Sequence, residues 1–358
     1  MAQPISNLKV GDKVKFNRYS LEGSPTEEVI RLVAGHNHYR DDLNPNIVDH
    51  VTLIPWKIQD LRGFDAKEPN NSDSNRKTNG NNRYKDSNIR QWLNKSGKPW
   101  FEKTHTADEP PTDSGMSQPT GYDDIEGYLS FLTEEELNAL VPTNIMVAKN
   151  TVTDGGGSEI VQDLFFLPSA TELGLANENS IAEGTLLPLF SDDASRIAYL
   201  TPQCFDNTKS GSKPSTINDA WYYWLRTPHS SSSGGVRYVG ASGALTGRSA
   251  YSGYNGVRPL CNLKSEILVS DTTDTDGCYT IAWNKTYIVT LDKAITINAG
   301  DRLEKVKFDA KVNNTSLNLK SMDVEKLIYT GEDLDTDTVD LEIEGKNGKI
   351  DNIAYTID

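Results

Sequence analysis

At 358 residues the chain is long enough for about two domains of roughly 100–200 residues each, and its 36% hydrophobic and 24% charged residues are those of a globular protein. A formal charge of −15, from 51 acidic against 36 basic residues, repels a phosphate backbone with no Lys/Arg cluster to offset it, so nucleic acid is excluded as a partner. No apolar run approaches the ~20 residues of a membrane span, so membrane insertion is not expected.

Residues 1–15 lack a cationic start and an apolar stretch, so an ordinary secretory signal is not expected. Residues 5–16 alternate through a turn at Gly11 and Asp12 and predict a hairpin; residues 29–34 and 51–58 read as strands. His36 and His38 share a strand face, followed by Asp41 and Asp42. Without a further ligand they read as a surface strand end rather than a metal site. The polar stretch 67–82 (KEPNNSDSNRKTNGNN) has no apolar anchor and reads as a surface loop, as does 104–119. Residues 87–94 (SNIRQWLN) predict a helix capped by Ser87, with Ile89, Trp92 and Leu93 on one face and Gly97 as its stop. Thr133 and Glu136 form a capping box for a second helix, and residues 169–173 (SATEL), with Glu172 at the N3 position, start a third.

Residues 221–224 (WYYW) predict a core strand with alternating aromatic rings. Between residues 229 and 256, seventeen of 28 are Ser, Tyr or Gly, a composition that suits adaptable recognition loops better than a core. After Ser270 the texture changes. Residues 271–277 (DTTDTDG) form a polar hinge, and short alternating segments at 279–283, 287–291, 294–297, 306–312, 327–329 and 339–343 predict a small β-sandwich of roughly 75 residues. The expected domains are 1–274 and 275–358. Asp333, Asp335, Asp337 and Asp340 lack the Gly and closing Glu of a calcium loop and read as a solvated acidic run. Cys204, Cys261 and Cys278 are too few and scattered for a disulfide framework or a metal site and read as buried thiols.

The segment from Trp221 to Leu263 (WYYWLRTPHSSSSGGVRYVGASGALTGRSAYSGYNGVRPLCNL) resembles a domain family of Gram-positive bacteria and their phages. The signature of that family is W-W-L-R-S/T-P, a variable Ser/Asn/Tyr-rich stretch, then G-V-R-P-A-L-N-L. KVGDKVKF near the start, SNIRQWLN and FFLPSATELG at 165–174 extend the resemblance to about residues 1–270; Cys261 departs from the usual Ala. The family is similar to the C-type-lectin-like fold of the sulfatase-modifying factors and the variable proteins of diversity-generating retroelements. The resemblance implies an α+β, C-type-lectin-like mixed domain followed by a small all-β, immunoglobulin-like sandwich. Trp221, Trp224, Arg226, Pro228, Arg258 and Pro259 would form a structural frame. His229, Arg237, Tyr238, Arg248, Tyr251, Tyr254 and Asn255 would face a ligand, since Tyr and Arg suit stacking on sugar rings or aromatic side chains.

Glu68-Pro69-Asn70 spells a tripeptide that holds calcium and sugar in animal C-type lectins, but it falls far upstream of that loop and no W-N-D follows. No reactive cysteine pair matches the sulfatase-modifying pattern, and G-x-S-x-G, P-loop and HExxH motifs are absent. The expectation is therefore a non-enzyme, with no catalytic residues, no cofactor and no metal. Its expected place is the virion surface of a phage or phage-tail-like particle, as a tail-fibre or baseplate receptor-binding protein for a host cell-surface glycan or protein. Its other partners would be virion proteins. A fibre would make it a homo-oligomer, although no heptad run supports a coiled coil. The rival expectation is a capsid-decoration or baseplate protein that binds virion subunits alone.

Overall fold

The computed structural model describes residues 2–21, 24, 26–112, 114–117, 125–208 and 211–283, and, within 285–357, the backbone of strands. The chain divides into two compact units, Met1–Ile281 and Ala282–Asp358, and is a mixed α+β protein in which strands predominate and helices are short. Among the described residues no helix is long and apolar enough to cross a membrane.

The first unit is organised by a six-stranded sheet in the order Cys278–Thr280, Lys13–Tyr19, Glu27–His36, His50–Pro55, Leu260–Lys264, Phe165–Phe166. His50–Pro55 is buried at every position; a strand covered on both faces needs such a continuous run rather than alternation. Cys278–Thr280 pairs in parallel with Lys13–Tyr19 and so lies with the first unit. Ala2–Pro4 pairs with Leu268–Ser270 and clasps the beginning of that unit to its end. A second sheet is the meander Tyr223–Pro228, Gly235–Val239, Leu245–Ser249.

Several expectations are corrected. Residues 5–16 do not form a hairpin: Ile5–Asn7 is a 3-10 turn, and the left-handed Gly11 (φ 93°) feeds the strand Lys13–Tyr19, whose partner is Glu27–His36. His36 and His38 do not share a strand face. The strand ends at His36, Asn37 turns with φ 50°, and His36 is exposed while His38 is half-buried. Residues 169–173 make the capping-box bonds, Ser169 N–H to Glu172 Oε2 (2.9 Å) and Glu172 N–H to Ser169 Oγ (3.1 Å). They form a turn rather than a helix, because Gly174 (φ 68°) reverses the chain at once. Of the aromatic run, Tyr223 and Trp224 are buried but Trp221 and Tyr222 are half-exposed.

Residues 67–82 are not a surface loop. They contain the helix Ser74–Asn79, capped by Asp73, and bury Glu68, Arg76, Asn81 and Asn82. Hydrogen bonds replace the missing apolar anchor: Arg76 grips Asp154 with two bonds of 2.7 Å, and Asn82 Nδ2 donates to the carbonyls of Ser232 (2.6 Å) and Gly235 (2.8 Å). A polar segment can be interior when its groups are paired. Within 104–119, Asp108 and Met116 are likewise buried, and residues 113, 118 and 119 lie outside the described set.

The helices Asn88–Leu93, capped by Ser87, and Glu134–Ala139, with both capping-box bonds of Thr133 and Glu136, agree with the sequence. Cys204, Cys261 and Cys278 are free and buried. In the second unit Lys285–Ile297 pairs with Gly348–Ile357, Val306–Phe308 with Val339–Leu341, and Asn318–Asp323 with Lys326–Thr330, all antiparallel. Asp333, Asp335 and Asp337 lie outside the described residues, and Asp340 falls in the strand Val339–Leu341.

Candidate functional site

The strand Tyr223–Pro228 is buried throughout and anchors the second sheet. Arg226 uses all five of its donors. Nε donates to Met146 O (3.1 Å), Nη1 to Leu167 O (2.9 Å) and Glu172 Oε2 (2.7 Å), and Nη2 to Glu172 Oε1 (2.7 Å) and Glu183 O (2.9 Å). Burial opposes the charge, but the Glu172 carboxylate outweighs it and keeps the guanidinium ionised. Trp224 packs edge-on against Phe64 (5.8 Å between centroids) and donates Nε1–H to Arg62 O (2.7 Å). Arg258, buried, lies 4.8 Å from the Tyr223 ring centre and donates to Pro55 O (3.0 Å). Pro228 and Pro259 are buried, and the Pro259 carbonyl accepts from Arg31 (3.1 Å). Trp221 stands apart from these, half-exposed and stacked on Tyr222 at 4.0 Å.

On this strand rests the hairpin Gly235–Val239 / Leu245–Ser249, so the Ser/Tyr/Gly-rich stretch is in good part ladder rather than loop. Its tip turns through Gly243 (φ 83°), where a Cβ would lie 2.3 Å from Asp193 O, so a larger residue has no room there. The Asn-rich helix below holds it: Asn75 Nδ2 donates to Ser232 Oγ (2.8 Å), Ser233 Oγ to Asp73 Oδ1 (2.6 Å) and Ser249 Oγ to Asn79 Oδ1 (3.0 Å). A Cβ on Gly234 would meet Gly80 O at 2.8 Å, which records how closely the two backbones approach.

The half-exposed Arg248 is set among tyrosines. Its guanidinium carbon lies 4.5 Å from the ring centre of Tyr222, 5.3 Å from Tyr238 and 5.7 Å from Tyr254. Asn255 Oδ1 accepts from Nη1 (3.3 Å), and Trp221 Nε1–H fixes the Tyr254 carbonyl (2.8 Å). Tyr222 and Tyr238 are tilted at 5.5 Å, so four aromatic side chains including Trp221 form one half-exposed array around one cation. Burial pushes the Tyr222 phenol up despite the adjacent Arg248, so it stays a neutral donor. Each cation–π pair of this kind is worth about 0.5–1 kcal/mol when solvent-exposed.

The other sequence-derived residues are arranged differently. Arg237 and His229 converge on Glu178: Arg237 Nε donates to Oε1 (2.9 Å), its Nη2 contacts Oε2, and His229 Nδ1 lies 3.5 Å from Oε1. Burial raises Glu178, but Arg237, the Ser230 N–H and His229 together hold its carboxyl below the usual range. This ionic cluster borders Gly247, where a Cβ would meet Arg237 Nη1 at 3.1 Å and His229 Cδ2 at 3.3 Å. Tyr251 faces Lys67 instead, with Nζ 4.4 Å from its ring centre. Asn255 is fully buried and supports Arg248 from below rather than meeting solvent. Sequence reasoning missed Tyr222, Glu172 and Glu178. Tyr222 lies just before the strand Tyr223–Pro228, within the aromatic run that the sequence marked, whereas Glu172 was marked only as a local cap and Glu178 not at all, because their arginines lie 54 and 59 residues away.

A family described as a domain of unknown function, DUF6273, matches residues 49–265. This span contains the frame, the hairpin and the Arg248 array. No curated protein and no solved structure matches the chain.

Proposed function

The chain belongs to the DUF6273 family, and we propose that it is a non-enzymatic binding protein that contacts a glycan or protein on the surface of a host cell. The first unit is read as C-type-lectin-like and the second as immunoglobulin-like, and the setting is the surface of a phage or phage-tail-like particle. The observation that carries the reading is the half-exposed Arg248 guanidinium ringed by Tyr222, Tyr238 and Tyr254. Half-exposed aromatic rings stack on the apolar face of a sugar or on another aromatic ring, and a planar fork among them orients a carboxylate or carbonyl. Such residues lose little conformational entropy on binding when a hairpin already holds them.

The test is retention of the purified chain on cell envelopes of Gram-positive bacteria. Tyr238→Ala combined with Tyr254→Ala is expected to weaken retention at least roughly tenfold, with the far-UV circular dichroism spectrum unchanged. Envelope retention no better than that of an unrelated acidic protein would instead favour a decoration protein that binds virion subunits alone.

A further inference from the structure

Glu68, His105 and Asp108 lie outside the Arg248 array, and together they are the one group of three metal-ligating side chains among the described residues whose donor atoms all fall within 4.8 Å of one another. Glu68 and Asp108 are 0% and 1% exposed, whereas the His105 side chain is 30% exposed and opens the cluster to solvent. His105 Nε2 is 2.9 Å from Glu68 Oε1. A zinc ion with bonds of about 2.0–2.2 Å spaces its donors roughly 3.3 Å apart, so the cluster is already close to a shared coordination sphere.

A second observation points to a missing partner. Asp108 Oδ2 accepts from the Thr104 N–H (2.8 Å) and Oγ1 (2.9 Å), but Oδ1, buried on the same carboxylate, has no hydrogen-bond partner among the described residues. A buried, unpaired carboxylate oxygen is costly, more so beside a second acid. A third acid, Asp65, is buried beside them, its Oδ2 accepting from the backbone N–H of Asn81 (3.0 Å), whose side chain donates to Glu68. Of the three donors only His105 can carry a positive charge, against two carboxylates.

The ligands are also held as metal ligands are held. Asn71 and Asn81 donate to the two oxygens of Glu68, the latter at 3.1 Å, and Thr104 fixes Asp108. Such outer hydrogen bonds orient the donors before an ion arrives. One imidazole nitrogen with two carboxylates is a borderline donor set that suits zinc better than the all-oxygen cages of calcium and magnesium.

We propose that Glu68, His105 and Asp108 form a binding site for a divalent transition-metal ion of the zinc class. It is supplied by residues 67–108 and is independent of host recognition by the Arg248 array.

The experiment is calorimetric titration of the tag-free, chelator-treated full chain with zinc chloride, with calcium and magnesium chloride as parallel arms. One zinc per chain is expected, with Kd on the order of 1 μM or tighter. His105→Gln and Asp108→Asn should each weaken it at least roughly tenfold. His105 is partly exposed, so its variant keeps the fold and decides the matter even where Asp108→Asn lowers stability. Absence of stoichiometric zinc binding overturns the proposal, and so does unchanged zinc affinity in His105→Gln. Calcium bound in preference to zinc, and indifferent to His105→Gln, overturns the zinc assignment.

Discussion

Residues 67–82, rich in Asn and Ser, bury Glu68, Arg76, Asn81 and Asn82, whereas residues 229–256, rich in Ser, Gly and Tyr, leave Tyr238, Arg248, Tyr251 and Tyr254 half-exposed. Composition does not separate the two, since neither offers a row of apolar anchors. Partners do. The first stretch finds carbonyls and carboxylates for its donors, among them Ser232 O, Gly235 O and Asp154, and a satisfied polar group can lie inside. In the second, Ser232, Ser233 and Ser249 bond to the Asn-rich helix and its cap while the rings and Arg248 stay half-exposed. One polar stretch is the bed on which the other presents its face.

The difference is broken most severely at Arg76. Replacing it by Ala removes the ion-pair partner of the Asp154 carboxylate, whose side chain is 7% exposed, and leaves only the Asn150 amide (2.7 Å) to hold it, at a cost of about 3–5 kcal/mol. Denaturant unfolding of Arg76→Ala should show a loss of that size. A loss under about 1 kcal/mol would mean that the segment behaves as a solvated loop after all.

A smaller effect distinguishes the ionic margin of the second stretch. The Glu178 carboxyl sits below its unfolded value near 4.3. Its contribution is therefore present above that value and lost as pH falls through the folded one. Thermal melts from about pH 6 to pH 3 should show wild type losing its advantage over Glu178→Gln on acidification. A gap constant across that range would remove Glu178 from the account.

What the sequence made legible is what local chemistry dictates. The Ser87 cap, the Thr133–Glu136 box and the strands around residues 29–34 and 51–58 were readable because their signals lie within a few residues. The site was legible in part. Tyr238, Arg248 and Tyr254 were readable from a Tyr/Arg-bearing stretch between two prolines, and they meet at Arg248. Hidden were the features that depend on distant partners: the hairpin's seat on Asn75 and Asn79, the Glu178 clamp on Arg237 and His229, and the meeting of Glu68 with His105 across 37 positions. The run SATEL misled for a related reason. Glu172 makes the local capping bond, but it also serves Arg226 and Tyr39, and a turn ended by Gly174 suffices for both.

The smallest expected change in stability carries the most direct test. Arg248→Lys keeps the charge but removes the planar fork that lies among Tyr222, Tyr238 and Tyr254. Affinity for host envelope and Tm are to be measured on the same preparation. Envelope affinity at least roughly tenfold weaker with Tm shifted by no more than about 2 °C is predicted; unchanged affinity with Tm lower by more than about 6 °C would contradict it, making Arg248 a support of the fold rather than a contact for an outside molecule.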